Sequence, residues 1–120
     1  MALILIVEDE IFIRQSAEWV MKDMGHRVLL ASDLDEAMAH LSAAQPIDAL
    51  FVDMRLGNLP FGGYDVANRA VVLQPDLRVL YTSGTPRTAE MVERFAPGSQ
   101  FLQKPYSAEQ LGTSMELLLS

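Results

Sequence analysis

Five short strand-like segments, most of them apolar runs, recur along the 120-residue chain, each followed by a helical segment, and this alternation constrains the fold more than any other feature. The segments are Leu3-Ile4-Leu5-Ile6-Val7, Arg27-Val28-Leu29-Leu30-Ala31, Ala49-Leu50-Phe51-Val52-Asp53, Arg78-Val79-Leu80-Tyr81-Thr82 and Gln100-Phe101-Leu102-Gln103. A nearly continuous apolar strand has no polar face to turn to water, so it must be covered on both sides. Strands of this kind alternating with helices call for an α/β fold, a doubly wound five-stranded parallel sheet with right-handed crossovers.

The intervening segments supply the cover. From about Glu10 to Met24, Ile13, Ala17, Val20 and Met24 recur at intervals of three and four, and Gly25 is placed to stop that helix. Ser32 reads as the N-cap of a second helix, with Asp35 at the capping-box position and Leu34, Ala37, Met38 and Leu41 as its inner stripe. Gln45-Pro46 ends it near Ala44. A third helix, from about Tyr64 to Leu73, turns Val66, Ala67, Ala70 and Leu73 inward. The fourth, Thr88 to Phe95, has no clean stripe. The fifth begins at a capping box, Ser107 with Gln110, and faces Leu111, Met115 and Leu118 inward.

Length and composition bound the rest. One domain over residues 1–120, without an output domain, accounts for the whole chain. The absence of cysteine excludes disulfides and thiolate metal sites. No run is long enough to span a bilayer and no signal peptide is evident, so a cytoplasmic location is expected. A formal charge of −7 argues against direct nucleic-acid binding.

All strands of a parallel sheet end at one edge, and in open α/β sheets ligands bind there. Polar residues just past the strands therefore converge: Glu8 and Asp9, Asp53, Thr82 and Ser83, and Lys104. Three carboxylates in one place repel; two unit charges at 4 Å interact by roughly 4 kcal/mol at an effective dielectric of 20. A divalent cation relieves that repulsion, and an all-oxygen donor set points to Mg2+ or Mn2+. Lys104 can neutralise Asp53 or hold a phosphoryl oxygen. A carboxylate can also attack phosphorus itself, giving an aspartyl-phosphate.

At these positions the chain resembles the receiver domain of two-component response regulators, the CheY-like, flavodoxin-like (βα)5 family. The matching features are Val7-Glu8-Asp9-Glu10, Val52-Asp53, Ser83-Gly84 and Lys104-Pro105. Separations of 44 residues from Asp9 to Asp53, 30 from Asp53 to Ser83 and 51 from Asp53 to Lys104 fit the family, and the resemblance covers essentially the whole chain. It implies strand order 2-1-3-4-5. It further implies Asp53 as phosphoacceptor, Mg2+ on Glu8, Asp9, Asp53 and the Arg55 carbonyl, Ser83 as the switch hydroxyl, Lys104 on the phosphoryl group and Phe101 as the switch aromatic. The implied phosphodonor is a histidine kinase or histidine phosphotransfer protein. Phosphorylation would then switch partner binding at the face formed by the fourth helix, fifth strand and fifth helix. The domain would promote its own phosphorylation and dephosphorylation only, and is not otherwise an enzyme. The chain departs from the family in Glu8 for the commoner Asp, in a longer Arg55-to-Gly63 loop with Gly62-Gly63 where Asp-Gly is frequent, and in a short Ser83-to-Lys104 interval.

Two other readings compete. A pseudo-receiver would keep the fold as a protein-interaction module and ignore phosphorylation; the complete acidic pocket argues against it. An aspartate-nucleophile phosphatase needs a second acid two residues after the nucleophile, and that position holds Arg55. Glu10 reads as a first-turn acid favoured by the helix dipole, Thr82 as the β-branched end of its strand, and Phe101 as a packed aromatic whatever its signalling role. His26, His40, Trp19 and Tyr106 are assigned no chemistry.

Overall fold

A computed structural model describes residues 1–120. The strands are β1 (Leu3–Val7), β2 (Arg27–Ala31), β3 (Ala49–Asp53), β4 (Arg78–Ser83) and β5 (Gln100–Gln103). They alternate with α1 (Ile11–Asp23), α2 (Leu34–Ser42), α3 (Gly62–Leu73), α4 (Ala89–Arg94) and α5 (Ala108–Leu119). All neighbouring strands run parallel in the order β2-β1-β3-β4-β5. The doubly wound fold expected from the apolar runs is the one observed.

The pleat sorts the strand residues into two cores. Leu3, Leu5, Val7, Leu50, Val52, Val79 and Tyr81 face α2 and α3, where Ala37, Leu41, Val66, Ala67 and Ala70 meet them. Ile4, Ile6, Ala49, Phe51 and Leu80 face α1 and α5, where Ala17, Val20, Met21, Leu111, Met115 and Leu118 cover them. The same parity aims the polar residues at the strand ends. Glu8 continues the Ile4–Ile6 row, Asp53 the Ala49–Phe51 row and Lys104 the row of Leu102, so all three emerge on the α1/α5 side of the sheet edge.

Several local expectations change. The N-cap of α2 is Asp33 rather than Ser32, because the Asp33 carboxylate accepts from Glu36 N–H at 2.8 Å. Ser32 is held by the Glu36 side chain, which accepts from the Ser32 N–H at 2.9 Å and bonds its hydroxyl; Asp35 plays no part in the cap. In α1 the fully buried stripe is Ala17, Val20 and Met21, with Ile13 and Met24 half-buried at its margins. Leu73 lies at the end of α3 and is 49% exposed, not inward. Helix α3 begins two residues earlier than its apolar stripe, at Gly62. Helix α4 is confined to six residues, with Thr88 capping it by accepting from Met91 N–H. The Ser107–Gln110 capping box forms as expected. No helix is long and apolar enough to cross a membrane.

Candidate functional site

The Lys104 ammonium lies between two buried carboxylates at the carboxyl edge of the sheet. Its Nζ is 2.8 Å from Glu8 Oε1 and 2.8 Å from Asp53 Oδ2. Glu8 is 3% exposed and Asp53 7%, because each continues an apolar strand into the same crowded corner. The other Asp53 oxygen, Oδ1, accepts the Arg55 N–H at 3.3 Å. Asp9 is exposed beside them, its Oδ2 accepting from Gly57 N–H at 3.0 Å. Carboxylate oxygens of Glu8, Asp9 and Asp53 lie within 4.8 Å of one another.

One cation faces three acids, and the electrostatics reflect that mismatch. Burial pushes the Glu8 carboxyl up to about 8; the bond from Lys104 opposes this and the nearby Asp53 reinforces it. For Lys104 desolvation works against the charge, but the Asp53 and Glu8 carboxylates outweigh it and raise the ammonium above its ordinary range. Asp9 is partly desolvated, yet hydrogen bonds from Glu8 and from Gly57 N–H hold it below the usual carboxylate range. A proton on Glu8 thus substitutes for missing positive charge. Three convergent carboxylates with only oxygen donors fit a hard divalent cation such as Mg2+.

These groups open into a cleft of about 910 Å3 whose wall also includes Met54, Arg55, Phe61, Tyr64, Ser83, Thr88 and Met91. Ser83 closes β4, and its Oγ accepts from Thr85 N–H at 3.0 Å. Thr82 does not line the cleft: it is buried and donates to Leu102 O at 2.7 Å, which accounts for it as a strand residue. Arg55 is exposed, as a solvated side chain should be, with its backbone at the cleft. Phe101 lies outside the cleft wall, half-buried and stacked 6.0 Å from Phe95. Of the expected site residues, Glu8, Asp9, Asp53, Arg55, Ser83 and Lys104 meet in one place and Phe101 stands behind it.

The sequence of four elements at this edge has known counterparts. A sequence model of the family described as response regulator receiver domain matches residues 4–116. The chain belongs to that family. As a receiver domain it is 33% identical over 109 residues to the alginate biosynthesis transcriptional regulatory protein AlgB of Pseudomonas aeruginosa, covering 90% of this chain and 24% of that protein. A solved response regulator receiver protein from Sinorhizobium medicae superposes with a TM-score of 0.87 at 29% identity, covering 98% of this chain and 94% of that one. A response regulator from Burkholderia pseudomallei, described with a phosphorylated aspartic acid, calcium ion and citrate, superposes with a TM-score of 0.81 at 25% identity over 100% of this chain and 67% of that one. The receiver spans between 24% and 50% of the length of the curated relatives it matches. Membership implies two-component signalling and a phosphodonor such as a histidine kinase.

Gly63 is a site-forming residue that periodicity alone does not reveal. A Cβ there would collide with the Asp53 carbonyl oxygen and lie 2.6 Å from Met54 Cα. Its N–H donates to Met54 O at 2.9 Å, so α3 starts directly against the chain leaving Asp53. The Gly62-Gly63 pair is the one signal of this in the sequence. Gly57 is the second case: its φ of +57° turns the N–H onto Asp9.

Proposed function

We propose that this receiver accepts a phosphoryl group on Asp53 from a histidine kinase or histidine phosphotransfer protein, with Mg2+ as cofactor and partner binding as the output. The observation that carries the reading is the Lys104 ammonium held 2.8 Å from both Glu8 and Asp53 inside an otherwise uncompensated acid cluster. The phosphorylated aspartic acid described for the Burkholderia relative supports it.

An Asp53 oxygen attacks the phosphorus of a phosphohistidine. The P–N bond breaks, its electron pair stays on the imidazole, and the imidazole takes a proton from solvent. Lys104, already against Asp53 Oδ2, keeps its charge at the carboxylate and can follow the added negative charge onto a phosphoryl oxygen. Ser83 Oγ accepts from Thr85, which leaves its own O–H proton available to a phosphoryl oxygen. Glu8, Asp9, Asp53 and the Arg55 carbonyl would hold Mg2+. Bound there, the ion supplies positive charge that offsets the phosphoryl oxygens. Ser83 and Phe101 then serve as the switch pair, and the face of α4, β5 and α5 as the surface that changes.

Incubation with a small acyl-phosphate donor and Mg2+, followed by intact-mass measurement, tests the assignment. The wild type should gain the mass of one phosphoryl group and Asp53→Asn none. Equal labelling of the variant, or no labelling of the wild type, sinks it.

A further inference from the structure

Helix α4 has no fully buried residue, and of its side chains only the half-buried Met91 packs against the core, so contacts at its ends matter to how it is held above the cleft. Its carboxyl end is the anchor. The Phe95 ring stacks on Tyr81 at 4.3 Å and 14°, and lies 6.2 Å from Tyr64. The next residue, Ala96, donates its N–H to Tyr81 Oη at 2.9 Å in a buried bond.

Arg94 extends this anchor to a different element. Its guanidinium carbon lies 4.8 Å from the centroid of the Phe61 ring and 5.6 Å from that of Tyr64, within reach of a cation–π contact. The two rings are themselves stacked, 6.1 Å apart at 27°. Arg94 makes no ion pair that would otherwise account for its position. Phe61 is 55% exposed at the end of the loop between β3 and α3, where its carbonyl accepts from Tyr64 N–H, so the guanidinium covers a ring whose other ring contact is Tyr64.

That loop is internally tied. Leu56 and Leu59 exchange backbone hydrogen bonds at 3.0 and 2.9 Å, and Gly62 N–H donates to Leu59 O at 3.2 Å. One hydrogen-bonded turn therefore connects Phe61 with Gly57, whose N–H holds the Asp9 carboxylate. We propose that Arg94 and Phe61 form a latch through which α4 positions the β3–α3 loop and, by way of Gly57 N–H, the Asp9 carboxylate. Arg94 is a positioning residue: it touches no acid of the cluster and acts only through the loop. The consequence for metal binding rests on the function proposed above; the positioning of the loop does not.

Amide hydrogen exchange of the metal-free protein, resolved by residue, tests the latch. Exposed cation–π contacts are worth about two- to five-fold in an equilibrium, so Arg94→Ala should speed exchange at Gly57 and Leu59 by about that factor. Amides of β3 should be unchanged, which separates loop release from global destabilisation. Phe61→Leu, which keeps apolar bulk but gives up the stack on Tyr64 as well, should speed exchange at least as much. The double variant should exchange no faster than the more affected single variant, since the Arg94–Phe61 contact is already lost in each. Unchanged exchange at Gly57 in Arg94→Ala, or single effects that multiply in the double variant, overturns the latch. A Mg2+ titration then tests the step from loop to Asp9. Weaker binding by Arg94→Ala supports it, and equal affinity in wild type and variant overturns it. Failure of the wild type to bind Mg2+ would count against the proposed function, while the exchange result would still decide the latch.

Discussion

Glu8 sits almost fully buried with a single ammonium shared between it and Asp53, and its burial sets the pH response of the metal-free protein. Its carboxyl rises from the ordinary 4.5 to about 8 on folding. Between those values the folded state holds a proton that the unfolded chain has released. The Glu8 contribution to stability is therefore full below about pH 4.5 and is lost as pH rises through 8, with a slope of at most about 1.4 kcal/mol per pH unit. His26 acts in the opposite sense, since burial, then the N-terminal charge, lower its pKa below 6.5, but that contribution levels off about one unit above 6.5 and its slope there is at most about half that of Glu8. Urea denaturation of the metal-free protein between pH 6.5 and 8 should thus show falling stability, and Glu8→Gln should flatten the profile. A slope unchanged by that substitution would place the proton elsewhere. Lys104 and Asp9 titrate outside this window, because their shifts carry them further above 10.5 and below 3.8 respectively.

At the scale of elements, legibility tracks how locally each feature is determined. β1, β2 and β3 are readable to the residue because each is a mainly apolar run of strand length, and β5 because Pro97-Gly98 and Lys104-Pro105 bracket it. Glu8, Asp53 and Lys104 are readable as a group for the same reason: each closes or succeeds such a run at one sheet edge. β4 runs one residue further than its apolar stretch because Ser83 pairs with Gln103, a contact that depends on the partner strand. The Asp33 cap of α2 is not readable because Ser32 and Asp33 are both good caps, and only the backbone decides between them. The start of α3 is hidden because two glycines are poor helix formers, and it is fixed by close approach to the Asp53–Met54 backbone. The Arg94–Phe61 contact joins a helix end to a distant loop and leaves no periodic trace. The glycine contact makes a sharp prediction. Gly63→Ala must move β3 and α3 apart or twist the loop, at a cost of about 1–3 kcal/mol in chemical denaturation. Gly57 at φ +57° has nothing within 4 Å of a Cβ, so Gly57→Ala strains only its own backbone and should cost less, about 1 kcal/mol.

For the whole molecule, charge is the governing quantity. The chain carries a formal −7, and once Glu8 has lost its proton above about pH 8, Glu8, Asp9 and Asp53 against Lys104 place −2 at one end of the sheet. A divalent cation held there would neutralise that corner, and whatever binds the folded state alone stabilises it by mass action. At a hundredfold excess over its dissociation constant, Mg2+ should add about 2.7 kcal/mol. For a chain of this length that corresponds to a rise of roughly 8–15 °C in the unfolding midpoint. The rise should be larger at pH 8 than at pH 6, because the ion must displace the proton that Glu8 keeps below about pH 8. Thermal scans with and without Mg2+ at the two pH values measure both quantities. Asp9→Asn, which removes an exposed acid and leaves the buried Glu8–Lys104–Asp53 pairs in place, should lose most of the metal-dependent rise while keeping its metal-free midpoint. A full rise in that variant would mean that the ion binds away from the acid cluster, and the converging strand ends would then need another explanation for their charge.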